Sequence, residues 1–189
     1  MEQQEAGQWY TSKTPFGIFF HAHLYPAQEN SGKLVALIKS MAQEEMEVSG
    51  AELMLIDGPP GIGCPVISAV SGADVVLVVT EPSLAGLHDL GRVLETTTHF
   101  DVQVTVCINK ADIYPEGAEK IRKFCQEKEI ECLGDIPYDL TVPQAMVQGQ
   151  PVTLYDPEAR SSQAIKIIWE KLLGFINQTR ASQELIQIK

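Results

Sequence analysis

Leu53-Met54-Leu55-Ile56-Asp57-Gly58-Pro59-Pro60-Gly61-Ile62-Gly63-Cys64 begins with four consecutive apolar residues, the pattern of a strand buried on both faces of a parallel sheet. Asp57 ends the run, where such a strand emerges from the sheet. The Gly58-Pro59-Pro60-Gly61 that follows cannot continue a strand: proline fixes φ and removes an N–H, and glycine lets the backbone approach a ligand closely. Ligands of open α/β sheets sit outside the carboxyl ends of the strands. A carboxylate there can hold a water of a hydrated Mg²⁺. Asp57 is therefore a candidate metal residue acting through water, and Gly58, Pro59, Pro60 and Gly61 are candidates to line a nucleotide. The same residues would also make an ordinary capped turn.

Downstream, strands and helices alternate. Residues 65–70 predict a short helix, and Val75-Val76-Leu77-Val78-Val79 predicts a second buried strand that ends at Thr80-Glu81-Pro82. A helix is expected over 83–98, a strand over 102–108, and a helix over 115–129 with Ala118, Ile121, Phe124 and Cys125 inward. A short strand over 131–136 and a helix over 140–147, closed by Gly149, come next. The last strong helix is 160–175, with Ala164, Ile165, Ile168, Trp169, Leu172 and Leu173 as its apolar stripe. Residues 176–189 extend it or fray. This alternation implies right-handed crossovers and an α/β fold, a three-layer parallel sheet with helices on both faces.

Upstream the signal is weaker. Residues 1–13 are polar and read as mobile, and residues 16–24 are β-rich. His21 and His23 fall on one face of a strand. They are a metal pair only if other ligands join them, and otherwise are ordinary strand histidines. Ser31 is a fitting N-cap for a helix whose apolar positions are Leu34, Leu37, Ile38 and Met41. Gly32-Lys33 invites comparison with a phosphate-binding loop, but Lys33 is followed by leucine and lacks a glycine-rich turn before it. A solvated lysine on a capped helix is the plainer reading.

The bulk numbers set bounds. A length of 189 residues suits one domain with a sizeable core, and 44% hydrophobic residues exclude a mainly disordered chain. A net charge of −11 argues against a broad nucleic-acid contact surface but not against a local nucleotide site. No apolar run is long enough for a transmembrane segment, and the N-terminus lacks a signal-peptide pattern, so a cytoplasmic protein is expected. The four cysteines include no Cys-x-x-Cys pair, which disfavours a zinc knuckle or a ferredoxin-type cluster motif within these residues.

Two further strand exits carry chemistry. Asn109-Lys110-Ala111-Asp112 follows the strand over 102–108. Asn109 can bond a purine edge and the stem of Lys110 can pack over a base. Asp112 stands where guanine-reading motifs place a carboxylate, so the motif alone leans to GTP, and a plain strand-end turn would serve too. Ile136-Pro137-Tyr138-Asp139 repeats the placement after the next strand.

Taken in order, Glu29-Asn30-Ser31-Gly32-Lys33-Leu34-Val35, the run from Asp57 to Val66, Thr80-Glu81-Pro82-Ser83 with Gly86-Leu87-His88-Asp89-Leu90, Asn109-Lys110-Ala111-Asp112 and Ile136-Pro137-Tyr138-Asp139 resemble the MinD/ParA/Mrp class of deviant P-loop ATPases. The resemblance is to the branch with an inserted ferredoxin domain. It implies that residues 53–63 are Walker B and switch II, that ATP with Mg²⁺ is the ligand, and that Pro137 and Tyr138 touch the base. These 189 residues contain no Gly-x-x-x-x-Gly-Lys-Ser/Thr, so the resemblance covers the part after the insert. It implies a remnant over 1–30 following the insert, the C-terminal half of an ATPase domain over 31–175 and a tail over 176–189. In the resembled fold the P-loop strand lies between the strand leading to Asp57 and the strand over 75–79, and that strand is expected to be lacking here.

Cys64 stands seven residues after Asp57. In the nitrogenase iron protein, a relative within the class, a cysteine at that offset ligates a [4Fe–4S] cluster shared at a dimer interface. Cys64 is either such an iron–sulfur ligand or a structural thiol. Cys107, Cys125 and Cys132 read as core. The resemblance implies an ATPase coupled to iron–sulfur or metallocofactor chemistry, acting as a homodimer or with a P-loop-bearing partner segment, and serving a redox or metallocofactor client. By itself the chain is expected to be inactive, and the alternative is a non-catalytic interaction or dimerisation module.

Overall fold

The computed structural model describes residues 7–25, 31–100 and 102–187, with side chains to 180. The chain divides into two compact units, Met1–Ser71 and Gly72–Lys189.

The second unit carries the sheet. Strands β3 (Val75–Thr80), β4 (Gln103–Asn109) and β5 (Glu131–Ile136) pair in parallel in the order β3-β4-β5. Alternation along β4 sends its side chains to two cores. Val106 and Ile108 join Leu90 and Leu94 of helix α3 (Leu84–Thr97) and Ala118, Ile121 and Cys125 of helix α4 (Pro115–Glu127). Cys107 turns the other way and, with Leu133 of β5, meets Ile168, Leu172 and Ile176 of helix α7 (Arg160–Gln187). The sheet is therefore covered on both faces, the three-layer arrangement that its apolar strands require.

Local chemistry fixes the strand exits. Ser83 caps α3 by accepting from the Gly86 N–H at 2.9 Å. A Cβ on Gly86 would lie 2.3 Å from the Glu81 carbonyl, and one on Gly117 would lie 2.5 Å from the Pro82 carbonyl, so both glycines let the Thr80–Ser83 turn pack against helices. In β5 the register slips by one residue opposite Val106 and Cys107. Gly134, at φ 154°, takes up the bulge and presents its open side to Ile168. Two short helices, α5 (Thr141–Val147) and α6 (Val152–Tyr155), lead into α7.

The first unit holds the antiparallel hairpin β1 (Gly7–Thr14) and β2 (Gly17–Leu24), helix α1 (Ser31–Ser49) and helix α2 (Cys64–Val70). Residues 7–13 are thus a strand, because β2 offers them a partner. On α1 the inward stripe includes Lys39 while Leu37 is half exposed, a shift from the expected face. Lys39 donates to the Ala69 carbonyl at 3.1 Å and to the Ser71 carbonyl. Those are terminal acceptors of α2, and helix ends need such partners.

The largest departure is residues 53–56. They form no strand, and no strand among the described residues pairs with them; Leu55 is 81% exposed. An extended segment without a neighbour cannot satisfy its backbone groups in an apolar interior. It stays at the surface despite its composition. Smaller departures follow the same logic of partners: Trp169 sits at the margin of α7, 38% exposed, and Ile176 takes the inward place further along.

Candidate functional site

Candidate residues fall in both units. In the second unit the exits of β3, β4 and β5 form one rim. β4 ends at Asn109, and Lys110 follows with φ 54°, a left-handed conformation that a residue with a side chain rarely adopts. The turn is held by the Ala111 N–H donating to the Ile136 carbonyl at 3.1 Å, and by the Ile113 N–H donating to the Lys110 carbonyl at 3.1 Å. The first of these ties the exit of β4 to that of β5.

Side chains complete the tie. Lys110 Nζ donates to Glu81 Oε1 at 2.6 Å, linking β4 to β3. Asp112 Oδ1 accepts from the Tyr138 N–H at 2.7 Å, and Asp112 Oδ2 lies 3.6 Å from the Arg160 guanidinium. Asp139 accepts from the Thr141 N–H at 2.9 Å and from the Ser161 N–H and hydroxyl at 3.1 and 3.0 Å. One carboxylate thereby closes the starts of both α5 and α7. The N–H of Thr141 first, then that of Ser161, holds Asp139 well below the usual carboxylate range.

Of the residues singled out from sequence, Asn109, Lys110, Asp112, Pro137 and Tyr138 share this rim. Tyr138 is 46% exposed, so its ring is accessible, and Asn109 and Pro137 are half-buried. Asp112 is engaged with the backbone of the neighbouring loop, so reading a guanine would compete with a hydrogen bond already made. Sequence reasoning assigns no role to Glu81 or Arg160. The position of Glu81 at a strand exit is a signal that could have found it; nothing local marks Arg160.

In the first unit, Asp57 is exposed and lies on the unpaired segment. Gly58, Pro59, Pro60 and Gly61 form the bend after it. Only Gly61, at φ 91°, needs a glycine's freedom there. Cys64 is the exposed first residue of α2, and a Cβ added to Gly32 would come 3.0 Å from the Cys64 Cβ, so the starts of α1 and α2 touch. Lys33 is exposed. His21 stacks between Tyr10 and Phe19 and shares a hydrogen bond with Ser12 at 3.1 Å, an ordinary cross-strand environment.

Among the described residues no three His, Cys, Asp or Glu side chains converge as a metal site. Asp57 is a single exposed carboxylate, of the kind that could bond a water of a hydrated Mg²⁺. Cys64 could give a cluster one thiolate per chain. The other cysteines are poor cluster ligands, since burial pushes the Cys107 and Cys125 thiols up to about 11 and raises Cys132.

Comparison with known proteins agrees with this architecture. A profile of the ParA family, described as NUBPL iron-transfer P-loop NTPase, matches residues 30–173. An uncharacterized protein of Methanocaldococcus jannaschii is 32% identical over 174 residues, which are 92% of this chain and 57% of that protein. An iron–sulfur cluster carrier protein of Pyrococcus horikoshii is 26% identical over 163 residues, 79% of this chain and 54% of that protein. The MinD cell division protein of Aquifex aeolicus superposes with a TM-score of 0.62 at 28% identity, covering 74% of this chain and 61% of that one. The chain thus spans little more than half the length of these curated relatives. By its matched residues and its three-layer sheet, the chain belongs to the ParA family of P-loop NTPases, in the group described for NUBPL-like iron transfer.

Proposed function

We propose that this chain is the base-reading and switch portion of a MinD/Mrp-like ATPase that serves iron–sulfur or metallocofactor chemistry. The observation that carries the reading is the rim itself, where a left-handed Asn109-Lys110 turn lies beside a clamped Tyr138 loop. Asn109 would bond the purine edge, Lys110 and Tyr138 would flank the base, and Pro137 would line it. Asp57 would hold a magnesium water, and residues 58–63 would answer to the terminal phosphate, pivoting at Gly61. The bond from the Tyr138 N–H to Asp112 favours adenine over guanine, because Asp112 would have to release it to accept from a guanine.

The phosphate cradle would come from a segment outside these 189 residues, in cis or in a partner. Residues 53–56, which pair with no strand among the described residues, and β3, whose outer edge has no partner among them, support that need. Cys64 would be the point of contact with a cluster, a reading supported by the carrier names of relatives and by its exposure. Calorimetric titration with Mg-ATP and Mg-GTP, with and without a polypeptide bearing a Lys-Gly-Gly phosphate loop, tests the reading. Tight binding of Mg-ATP only in the mixture, with no turnover by the chain alone, is the expected result. Equal preference for GTP, or hydrolysis by the isolated chain, overturns it.

A second reading, a non-catalytic interaction module, is favoured by the asymmetry of the sheet edges. β5 is guarded by the Gly134 bulge and by Lys171 donating to the Leu133 carbonyl at 2.7 Å. The run Val75-Val76-Leu77-Val78-Val79 of β3 contains no charge, proline or bulge. Under that reading the mixture would associate without any dependence on nucleotide.

A further inference from the structure

We propose that Glu81 is a positioning residue of the base subsite: it holds the Lys110 ammonium so that the lysine stem forms an uncharged platform at the mouth between β3 and β4. The inference rests on the nucleotide reading above and assigns a residue to which that reading gives no role. Three observations carry it. First, the origin of Glu81 is fixed. Its carbonyl accepts from the Ser83 N–H at 2.8 Å, and Gly86 and Gly117 bring helices too close to the Glu81-Pro82 backbone for any other residue. Thr80 Oγ1 adds a bond to the Gly86 carbonyl at 3.1 Å.

Second, Lys110 leaves its strand in a left-handed conformation, and strain of this kind at a strand exit points to a function. It directs the side chain across the rim to Glu81 at 2.6 Å. Third, both partners are about half exposed, 42% and 53%, where an ion pair adds little to stability. The contact is better explained by what it does to Lys110. A free ammonium at this rim would seek phosphate oxygens. Paired to Glu81 it is neutralised, and its methylenes lie between two strand exits, where a flat purine can rest on them.

The test uses the full chain and adenosine, which presents a base without phosphates, with dissociation constants read by ligand-observed NMR. Glu81→Gln keeps the shape and hydrogen-bonding reach but removes the charge. Glu81→Asp keeps the charge on a shorter stem. Adenosine affinity is expected to fall about threefold or more in Glu81→Gln and to recover in part in Glu81→Asp. Thermal midpoints should stay within about 2 °C of the parent's, as for a weak surface pair. Unchanged adenosine binding in Glu81→Gln overturns the inference while leaving the base subsite standing. So does a loss that comes with a fallen midpoint, or one that Glu81→Asp does not recover. A parent chain that fails to bind adenosine brings down the base subsite and this inference together.

Discussion

Asp112 and Asp139 stand on either side of the β5 exit and both accept backbone N–H groups, yet they differ in what they hold together. Asp112 ties one loop to the next, whereas Asp139 closes two helix starts, through Thr141 and Ser161. A carboxylate that accepts two N–H bonds is stabilised in its charged form, so its folded pKa lies below the ordinary 3.8. Stability from such a group is fully present above the unfolded value and is lost as pH falls through it toward the folded one. Replacing Asp139 by alanine should cost about 1–2 kcal/mol at neutral pH, as removal of a helix cap does. The same variant should lose less stability than the parent between about pH 5 and pH 2. Urea melts at several pH values would check this, and parallel pH profiles would refute it. The acidic character of this loop was legible in the sequence as a strand-end turn. The partner Ser161 was not, because it lies 22 residues away and only the fold brings it near.

Among elements, β3, α3, β4, α4, β5 and α7 were legible because short apolar runs between turn residues mark the strands, a period of 3.6 marks the helices, and each finds a neighbour within these residues. Residues 53–56 depart from the expected buried strand for the opposite reason. Composition makes an apolar run, but a strand exists only beside another strand, and nothing local reports whether one is present. Lys39 escaped for a related cause: its burial depends on the free carbonyls of α2, thirty residues on. The α3/α4 layer carries a direct test of which contacts matter. Ile121 is fully buried between β4 and α3, whereas Ile167 on α7 is 53% exposed. Ile121→Ala should destabilise by about 2–5 kcal/mol, the cost of an unfilled core site. Ile167→Ala should stay within about 0.5 kcal/mol of the parent. Chemical denaturation of both variants decides it, and similar costs would mean that the core lies elsewhere.

At the scale of the molecule, stability should be unevenly spread. β4 has a strand on each side and a core on each face, so its amides open only when the second unit unfolds. Residues 53–63 join no ladder and neither core among the described residues, and their amides should exchange with solvent far faster than those of β4. The outer N–H groups of β3 should fall between, since among the described residues that strand is paired on one side only. Hydrogen exchange read by mass spectrometry would give this order directly: residues 104–108 slowest, 53–63 fastest. If a strand from a phosphate-loop polypeptide completes the sheet, its addition should slow exchange along β3 and over 53–56 more than along β4, whose amides gain only the stabilisation that binding gives the whole unit. That pairing of effects separates strand completion from general stabilisation, which would slow every segment of a cooperative unit together. Slow exchange over 53–56 in the chain alone would contradict the exposure of that segment, and with it the need for a supplied strand.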